Sequence, residues 1–567
     1  MIRLTSIVAA SVLLTLPLSA KPLSANPLAA QVSGFGTPFD PNPPSDVRDG
    51  VNLGWGTSIR SLLVDGDHSM VMTRLTGTDR PYSSWSDGRG LEWSPLKALP
   101  EGYEPNYFAG RSTLVGESAY FAWTDFPDVF IGHTKDAGAS WSAPVRLPIA
   151  PFESFFFHND AVEDLVVLPG SPHDRVYLLV ETSEHRLNLL VSEDSGQTFP
   201  IVTPVSNFFH NGGKLVVDGS TVHAIYGDGV GMDLSVMHRR SIDGGVTFEP
   251  RKLLHFSPEI ADLYLDVELD GPVITVVSSI IAAFSQSAWV QRSVDAGSSF
   301  APAVAIPGVT PTILGRAVSI RGDRIFYAHP TVSYLPTTGR VLYTYSTDGG
   351  QAWAAPQLTE GVTGEIDQVF LTELGGRPLL TTRADMLTAS AYFDDAAGSF
   401  ELGFLSLSGA DGGFAPSIDV RVGVSDVYDN LVSVFVDPDL KVWSTGFRPQ
   451  RLTPDGFFAG PSVASFDLDQ FGSESTLGWV LLALGEGDLI LPDGRNLGLS
   501  NDPLLATSLD LAAAGVLSAT LVPDGAGSTT AVPIGLPPGL TLHAVGVGLD
   551  LVAGTVGPIT DVVEIGL

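Results

Sequence analysis

An all-β architecture is predicted by three features of this sequence. The pattern S-x-D-x-G-x-[ST]-[WF] recurs along it, with copies roughly fifty residues apart, the spacing of repeat arrays. Short apolar runs of strand length flank each copy. Turn-forming residues, 61 Gly and 41 Pro among them, separate those runs.

The clearest copy is Ser346-Thr347-Asp348-Gly349-Gly350-Gln351-Ala352-Trp353. Ser293, Asp295, Gly297, Ser299 and Phe300 form another, as do Ser241, Asp243, Gly245, Thr247 and Phe248. Two more are Ser192, Asp194, Gly196, Thr198, Phe199 and Thr134, Asp136, Gly138, Ser140, Trp141. Each position has a task in a hairpin. The Gly takes a left-handed turn position, and the Asp accepts from backbone N–H groups across the turn. The aromatic residue tucks into the next layer of sheet.

These residues resemble the Asp-box, or BNR, repeat of the sialidase-like β-propeller superfamily, over roughly residues 50–460. The resemblance implies a ring of four-stranded blades. Asp136, Asp194, Asp243, Asp295 and Asp348 are then structural turn residues, neither catalytic groups nor metal ligands. An EF-hand reading of Asp243-Gly244-Gly245 lacks the ligand ladder and the closing Glu.

In chain order, Arg3, an apolar run over 7–18 and small residues at Ala20 and Ala25 make residues 1–25 a secretory signal peptide. The run is too short to span a bilayer. Residues 26–50, rich in Pro, Asn and Gly, read as a linker or an N-terminal strand. The propeller is expected over 51–460. Its strand–turn–strand–loop–strand–box–strand unit fits 61–99 (with a degraded box around Asp87 and Trp93), 111–147, 161–205, 214–254, 262–306 and 316–358. Two weaker units are read over 367–422, with a shortened box at Asp411–Pro416, and over 431–462, with Asp455-Gly456-Phe457 in that role. Residues 395–400 are an alternative turn for the seventh unit. Eight blades result, seven being the other possible count, and a closed ring protects the sheet edges. From 461 to 567 Arg495 is the one Lys or Arg, and alternating stretches at 479–484, 517–522 and 540–549 read as a small antiparallel β-sandwich. It resembles C-terminal modules of secreted planctomycete proteins.

With 567 residues, 44% hydrophobic and 16% charged, the chain is globular. Its formal net charge of −33 excludes the basic footprint of a nucleic-acid binder and disfavours anionic membranes. Cysteine is absent, so disulfides, thiolate metal sites and cysteine nucleophiles are excluded. Export without cysteine suits a bacterial secreted, periplasmic or cell-surface protein.

If the first strand of each unit is innermost, the boxes crowd one rim and the strand starts open at the other. The junctions there carry Arg111, then His158, Asn159 and Asp160, His210 and Asn211, Asp262, Arg316, Asp367 and Asp429. Asp125, Glu181, Asp228, Arg383 and Asp385 add to the mouth, with aromatic surface from Phe155, Phe156, Phe157, Phe208 and Phe209. A concave polar site with aromatic walls is a ligand pocket; capping of strand starts and binding of channel water is the plainer alternative. His158 and His210 precede equivalent strands, yet isolated histidines at loop ends serve as polar caps, so no metal is expected. No nucleotide, phosphate or flavin fingerprint implies a cofactor.

The family resemblance implies three arginines around a carboxylate, a Tyr–Glu nucleophile and an Asp acid/base. Arg111, Arg316 and Arg383 are candidates for the arginines. The N-terminal Arg-Ile-Pro signature is missing, and Arg146-Leu147-Pro148 lies inside a fourth strand. Asp262 with Asp367 is an available carboxylate pair for ordinary glycoside hydrolysis. The expectation is therefore a secreted, monomeric propeller that binds a glycan or cell-surface protein in a central funnel without catalysis. The alternatives are an exo-sialidase-like glycoside hydrolase and a structural surface protein.

Overall fold

The structure, a computed structural model, describes residues 51–566 apart from stretches between the strands. The longest of these are 87–92, 104–109, 150–160, 309–315, 332–339, 360–365, 402–418, 455–462, 470–476, 490–498 and 534–540. Eight antiparallel four-stranded sheets follow one another. We number them as blades: one, 58–98; two, 110–146; three, 162–206; four, 209–257; five, 261–305; six, 317–358; and seven, 366–401. Blade eight combines Asp419–Ser425, Asn430–Val436 and Lys441–Phe447 with Val51–Trp55 from the start of the described chain. Successive first strands touch around a complete circle, Asp419–Ser425 returning to Ser58–Asp65. The ring is a β-propeller of eight blades, which removes the seven-blade count.

Closure lies in the register Val51↔Ser444, Asn52↔Trp443 and Trp55↔Lys441. A strand from one end of the chain completes the sheet made by the other, so backbone hydrogen bonds tie the two ends of the ring together.

Two sequence expectations are corrected. Blade seven ends with Ser399–Glu401, paired as Tyr392↔Glu401 and Asp394↔Ser399, so its last hairpin closes within the alternative 395–400 stretch, and Asp411–Pro416 lies outside the described residues. Arg451–Pro454, read as part of the eighth unit, pairs instead with Phe466–Asp469, outside the ring. Asp455-Gly456-Phe457 lies outside the described residues. Both errors have one cause: Asp-Gly-Phe strings are common wherever turns are common, and hydrogen-bond register alone shows which strings close a hairpin.

The five boxes share one hydrogen-bond pattern. In blade four the Ser241 hydroxyl donates to Asp243 Oδ1 at 2.7 Å and accepts from Gly245 N at 2.8 Å. Thr247 donates its N–H to Oδ1 at 2.9 Å and its hydroxyl to Oδ2 at 2.5 Å. Ser192/Asp194 and Ser293/Asp295 repeat this arrangement. Thr134/Asp136 does too. At Asp348 the hydroxyl donor is replaced by Ala352, whose N–H reaches both carboxylate oxygens at 2.9 and 3.1 Å. The Thr247 hydroxyl and N–H hold the Asp243 carboxyl down at about 2.

Gly245 sits at φ +91°, and a Cβ there would lie 2.5 Å from Leu189 Cδ2 in blade three. Gly245→Ala should therefore cost roughly 2 kcal/mol, from left-handed strain and overpacking together. Gly219→Ala, at φ +57° with open space around it, is the control for strain alone. Chemical denaturation of both variants measures the difference.

The box residues also join the blades. Phe199, Phe248, Phe300 and Trp353 each pack with the apolar cluster between their own blade and the one before it. A cation from each of blades two to five then reaches the turns of the next. Lys135 Nζ meets Ser195 Oγ at 2.6 Å, Arg175 Nη2 meets Gly244 O at 3.3 Å, and Arg240 Nη1 meets Ala296 O at 2.9 Å. Arg292 pairs with Asp323 at 2.5 Å. These four cations thus serve as inter-blade ties.

Beyond the ring, Leu477–Ala483 is the central strand of a sheet flanked by Ser518–Thr520 and Thr541–Asp550. A helix, Pro503–Ala513, packs on it, which the all-β reading of this region did not include. Asp502 caps it, accepting from Leu504 N at 2.8 Å and Leu505 N at 3.1 Å, and Pro503 stands where no N–H is required. Leu505 and Ala512 bury one face, and Ser508 Oγ accepts from Leu482 N at 3.0 Å.

Candidate functional site

First-to-second turns and boxes share one rim, shown by bonds from Ala137 N to Glu117 O at 3.1 Å and from Gly244 N to Ser220 O at 2.8 Å. The first strands therefore start at the opposite rim, around the mouth of the axial channel.

Alternation along Ala261–Asp270 decides what the wall there presents. Leu263 and Leu265 are buried with Ile225, Leu234 and Val236 of blade four. Tyr264, Asp266 and Glu268 consequently face blade six. Asp266 takes Nη1 of Arg316 in an ion pair, and Glu268 accepts from Gly322 N at 3.2 Å. The same guanidinium lies 5.3 Å from the centre of the Tyr264 ring, and Tyr264 is 42% exposed. Behind this group Tyr327 is fully buried, its hydroxyl 3.1 Å from Ser279 Oγ. Burial pushes the Tyr327 hydroxyl up to about 12. His329 lies edge-on to Tyr327 with ring centres 6.2 Å apart. Its Nδ1 donates to Pro330 O at 2.9 Å, and burial holds the ring neutral.

Blades three and four repeat the theme. Asp164 accepts from Leu215 N at 2.8 Å and from Lys214 Nζ at 3.2 Å. Arg111 Nε donates to Glu163 O at 3.0 Å. Arg111 thus reaches from blade two to blade three, and Arg316 reaches from the start of blade six to blade five. Four blades apart in a ring of eight, the two stand across the axis from each other. Arg383 is in the second strand of blade seven, opposite Gln368.

Two mouth residues sit deeper than the sequence implies. Glu181 is fully buried at the end of a second strand, opposite Leu187. Asp228 is 4% exposed and faces away from the axis, toward two residues, Ser206 and Arg251, that line a cleft between blades three and four. There it pairs with Arg251 Nη1 at 2.5 Å and accepts from Ser206 Oγ at 3.4 Å. Asp125 ends the second strand of blade two, opposite Asp128. His210 is opposite Asp228 and Asp262 opposite Ile281 in their sheets, and Asp367 falls at a register shift between Ile366 and Gln368. His158, Asn159, Asp160, Asp385 and Asp429 lie outside the described residues, as do Phe155, Phe156, Phe157 and Phe208. Among the described residues no three His, Asp or Glu side chains form a metal-sized group.

The sequence reading passed over Tyr264, Asp266 and Tyr327. The signal was present for the first two: polar and aromatic residues alternate with Leu263, Leu265 and Val267 immediately after Asp262.

No protein-family profile and no curated protein matches this chain. Among solved structures it is similar to the ulvan lyase of polysaccharide lyase family PL25 bound to -[GlcA(1-4)Rha3S]-, at 11% identity and a TM-score of 0.37, over 64% of this chain and 96% of that one. It is similar also to the polysaccharide lyase Uly1, at 9% identity and a TM-score of 0.41, over 71% and 99%. The Penicillium chrysogenum alpha-L-arabinanase complexed with arabinobiose is similar at 12% identity and a TM-score of 0.30, over 51% and 93%. Similarity at this level transfers neither substrate nor chemistry, and the functional reading rests on this chain's own residues.

Proposed function

We propose that this chain is an exported propeller that binds a saccharide at the mouth of its axial channel and does no chemistry on it. One observation carries the reading: Tyr264, 42% exposed on a first strand, with Arg316 over its ring and Asp266 holding that guanidinium. A sugar ring offers C–H groups to an aromatic face and hydroxyls to flanking donors and acceptors. Because Asp266 already neutralises Arg316, the group suits neutral hydroxyls better than a bare anion. The Arg3 and 7–18 pattern supports export.

Hydrolysis of the sialidase type needs a tyrosine made nucleophilic by a neighbouring carboxylate. Tyr327 is the buried tyrosine beside this wall, and burial, which outweighs the opposing pull of the Ser279 hydroxyl, favours its protonated form, the reverse of that requirement. A glycan array followed by titration of the hits tests the proposal. Tyr264→Ala is expected to weaken binding roughly tenfold without shifting the melting temperature. No bound glycan at any concentration, or undiminished binding by Tyr264→Ala, ends the reading. Turnover of a fluorogenic sialoside that disappears in Arg316→Ala would replace it with hydrolysis.

A further inference from the structure

The cleft between blades three and four has features the channel lacks. It is a space of about 210 Å³ lined by Val205, Ser206, Asn207, Tyr226, Arg239 and Arg251. Val205 and Ser206 belong to the outermost strand of blade three, so the cleft opens on the flank of the ring, off the axis.

Its charge is unbalanced. Arg239 donates Nε to Glu249 O at 3.1 Å and Nη1 to Pro204 O and Val205 O, each at 3.0 Å. Nη2 donates to Phe248 O at 3.3 Å. Four of its five N–H groups thus meet neutral carbonyls, and no carboxylate among the described residues pairs with it. Arg251, close enough to repel it, is paired with Asp228. Burial already disfavours the charge on Arg239. The Arg239 guanidinium thus stands in a half-enclosed space on carbonyl partners alone, in a chain whose net charge is −33. The exposed side chain of Asn207 at the lip can add an amide donor.

We propose that this cleft is a second ligand site, separate from the channel mouth, and that it takes a small molecule bearing one carboxylate. A monoanion balances the Arg239 guanidinium, whereas a dianion such as sulfate would overshoot that single charge and be repelled by Asp228. Binding here is independent of the saccharide reading.

Calorimetric titration of the full chain with galacturonate, galactose and sulfate tests this. Galacturonate and galactose differ by the carboxylate, so galacturonate is expected to bind at least about tenfold more tightly than galactose or sulfate, with affinity falling as NaCl is raised. Arg251→Gln removes one charge from a half-exposed side chain and should weaken galacturonate about tenfold. Asn207→Glu, at an exposed position that tolerates substitution, places a competing carboxylate at the lip and should do the same, so the test survives should Arg251→Gln misfold. Tyr264→Ala, on the channel wall, should not diminish the preference for galacturonate over galactose, because that preference comes from the carboxylate. Equal affinity for galactose, no effect of Asn207→Glu, or loss of the preference for galacturonate in Tyr264→Ala would each overturn the proposal.

Discussion

Acidification from pH 7 to pH 4 is expected to remove roughly 3 kcal/mol of stability through His223 alone. His223 and His238 are stacked with ring centres 5.3 Å apart, 1% and 0% exposed, and His223 Nδ1 lies 3.1 Å from His238 Nε2. Burial lowers them to about 4 and about 3, reinforced by Arg240 and Lys252 and, for His238, by its partner ring. Glu249 and Asp218 pull the other way for His223. On the remaining side the pair meets the box turn of blade five, where a Cβ at Gly297 would sit 2.9 Å from His223 Cε1, and His238 lies edge-on to Phe300. Both folded values lie below the unfolded value near 6.5, so between those limits the unfolded chain binds more protons. The stability is complete above about pH 6.5 and is lost as pH falls toward 4 and then 3. Denaturation midpoints across this range should slope more steeply for the native chain than for His223→Gln. Equal slopes would refute the assignment, because His133 and His329, also held low by burial, are common to both proteins.

Removing the closing strand is expected to abolish the single cooperative melting transition. A chain beginning at Val51 retains the partner for Lys441–Phe447; one beginning at Ser58 leaves blade eight with three strands and strips Lys441–Phe447 of its outer partner. That partner has no substitute, because the next stretch of chain, Arg451–Pro454, is paired in the C-terminal sheet. The shorter chain should melt earlier and over a broader range, and it should aggregate through the exposed edge. Calorimetry and light scattering on the two chains measure both effects. Coincident melting curves would show that the ring holds without its closure.

The middle of the propeller was legible because its turns carry their own chemistry. Ser241, Asp243, Gly245, Thr247 and Phe248 make their hydrogen bonds and apolar contacts within a hairpin or with the adjoining blade, and such local demands leave a spaced pattern. Blades seven and eight lack that chemistry, so their limits were misplaced until register showed Tyr392 opposite Glu401 and Val51 opposite Ser444. The helix over Pro503–Ala513 was missed although Asp502 and Pro503 mark its start, because the surrounding alternation suggested strands throughout.

The candidate site divides the same way. Strand starts rich in Arg, His and Asp were visible in sequence, and the ring gathers their backbones at one rim. Pairing was not visible: Arg316 with Asp266 and Tyr264, Arg111 with the Glu163 carbonyl, and Asp228 turned outward to Arg251 are contacts between residues 23 to 52 positions apart. By itself the sequence determined the repeated hairpin, the acidic and cysteine-free composition and the all-β class, since each follows from the residues of a short segment. Tertiary structure alone decided blade number, ring closure, and which charges are neutralised and which face a cavity, since each depends on distances between segments that strand alternation and turn chemistry leave unspecified.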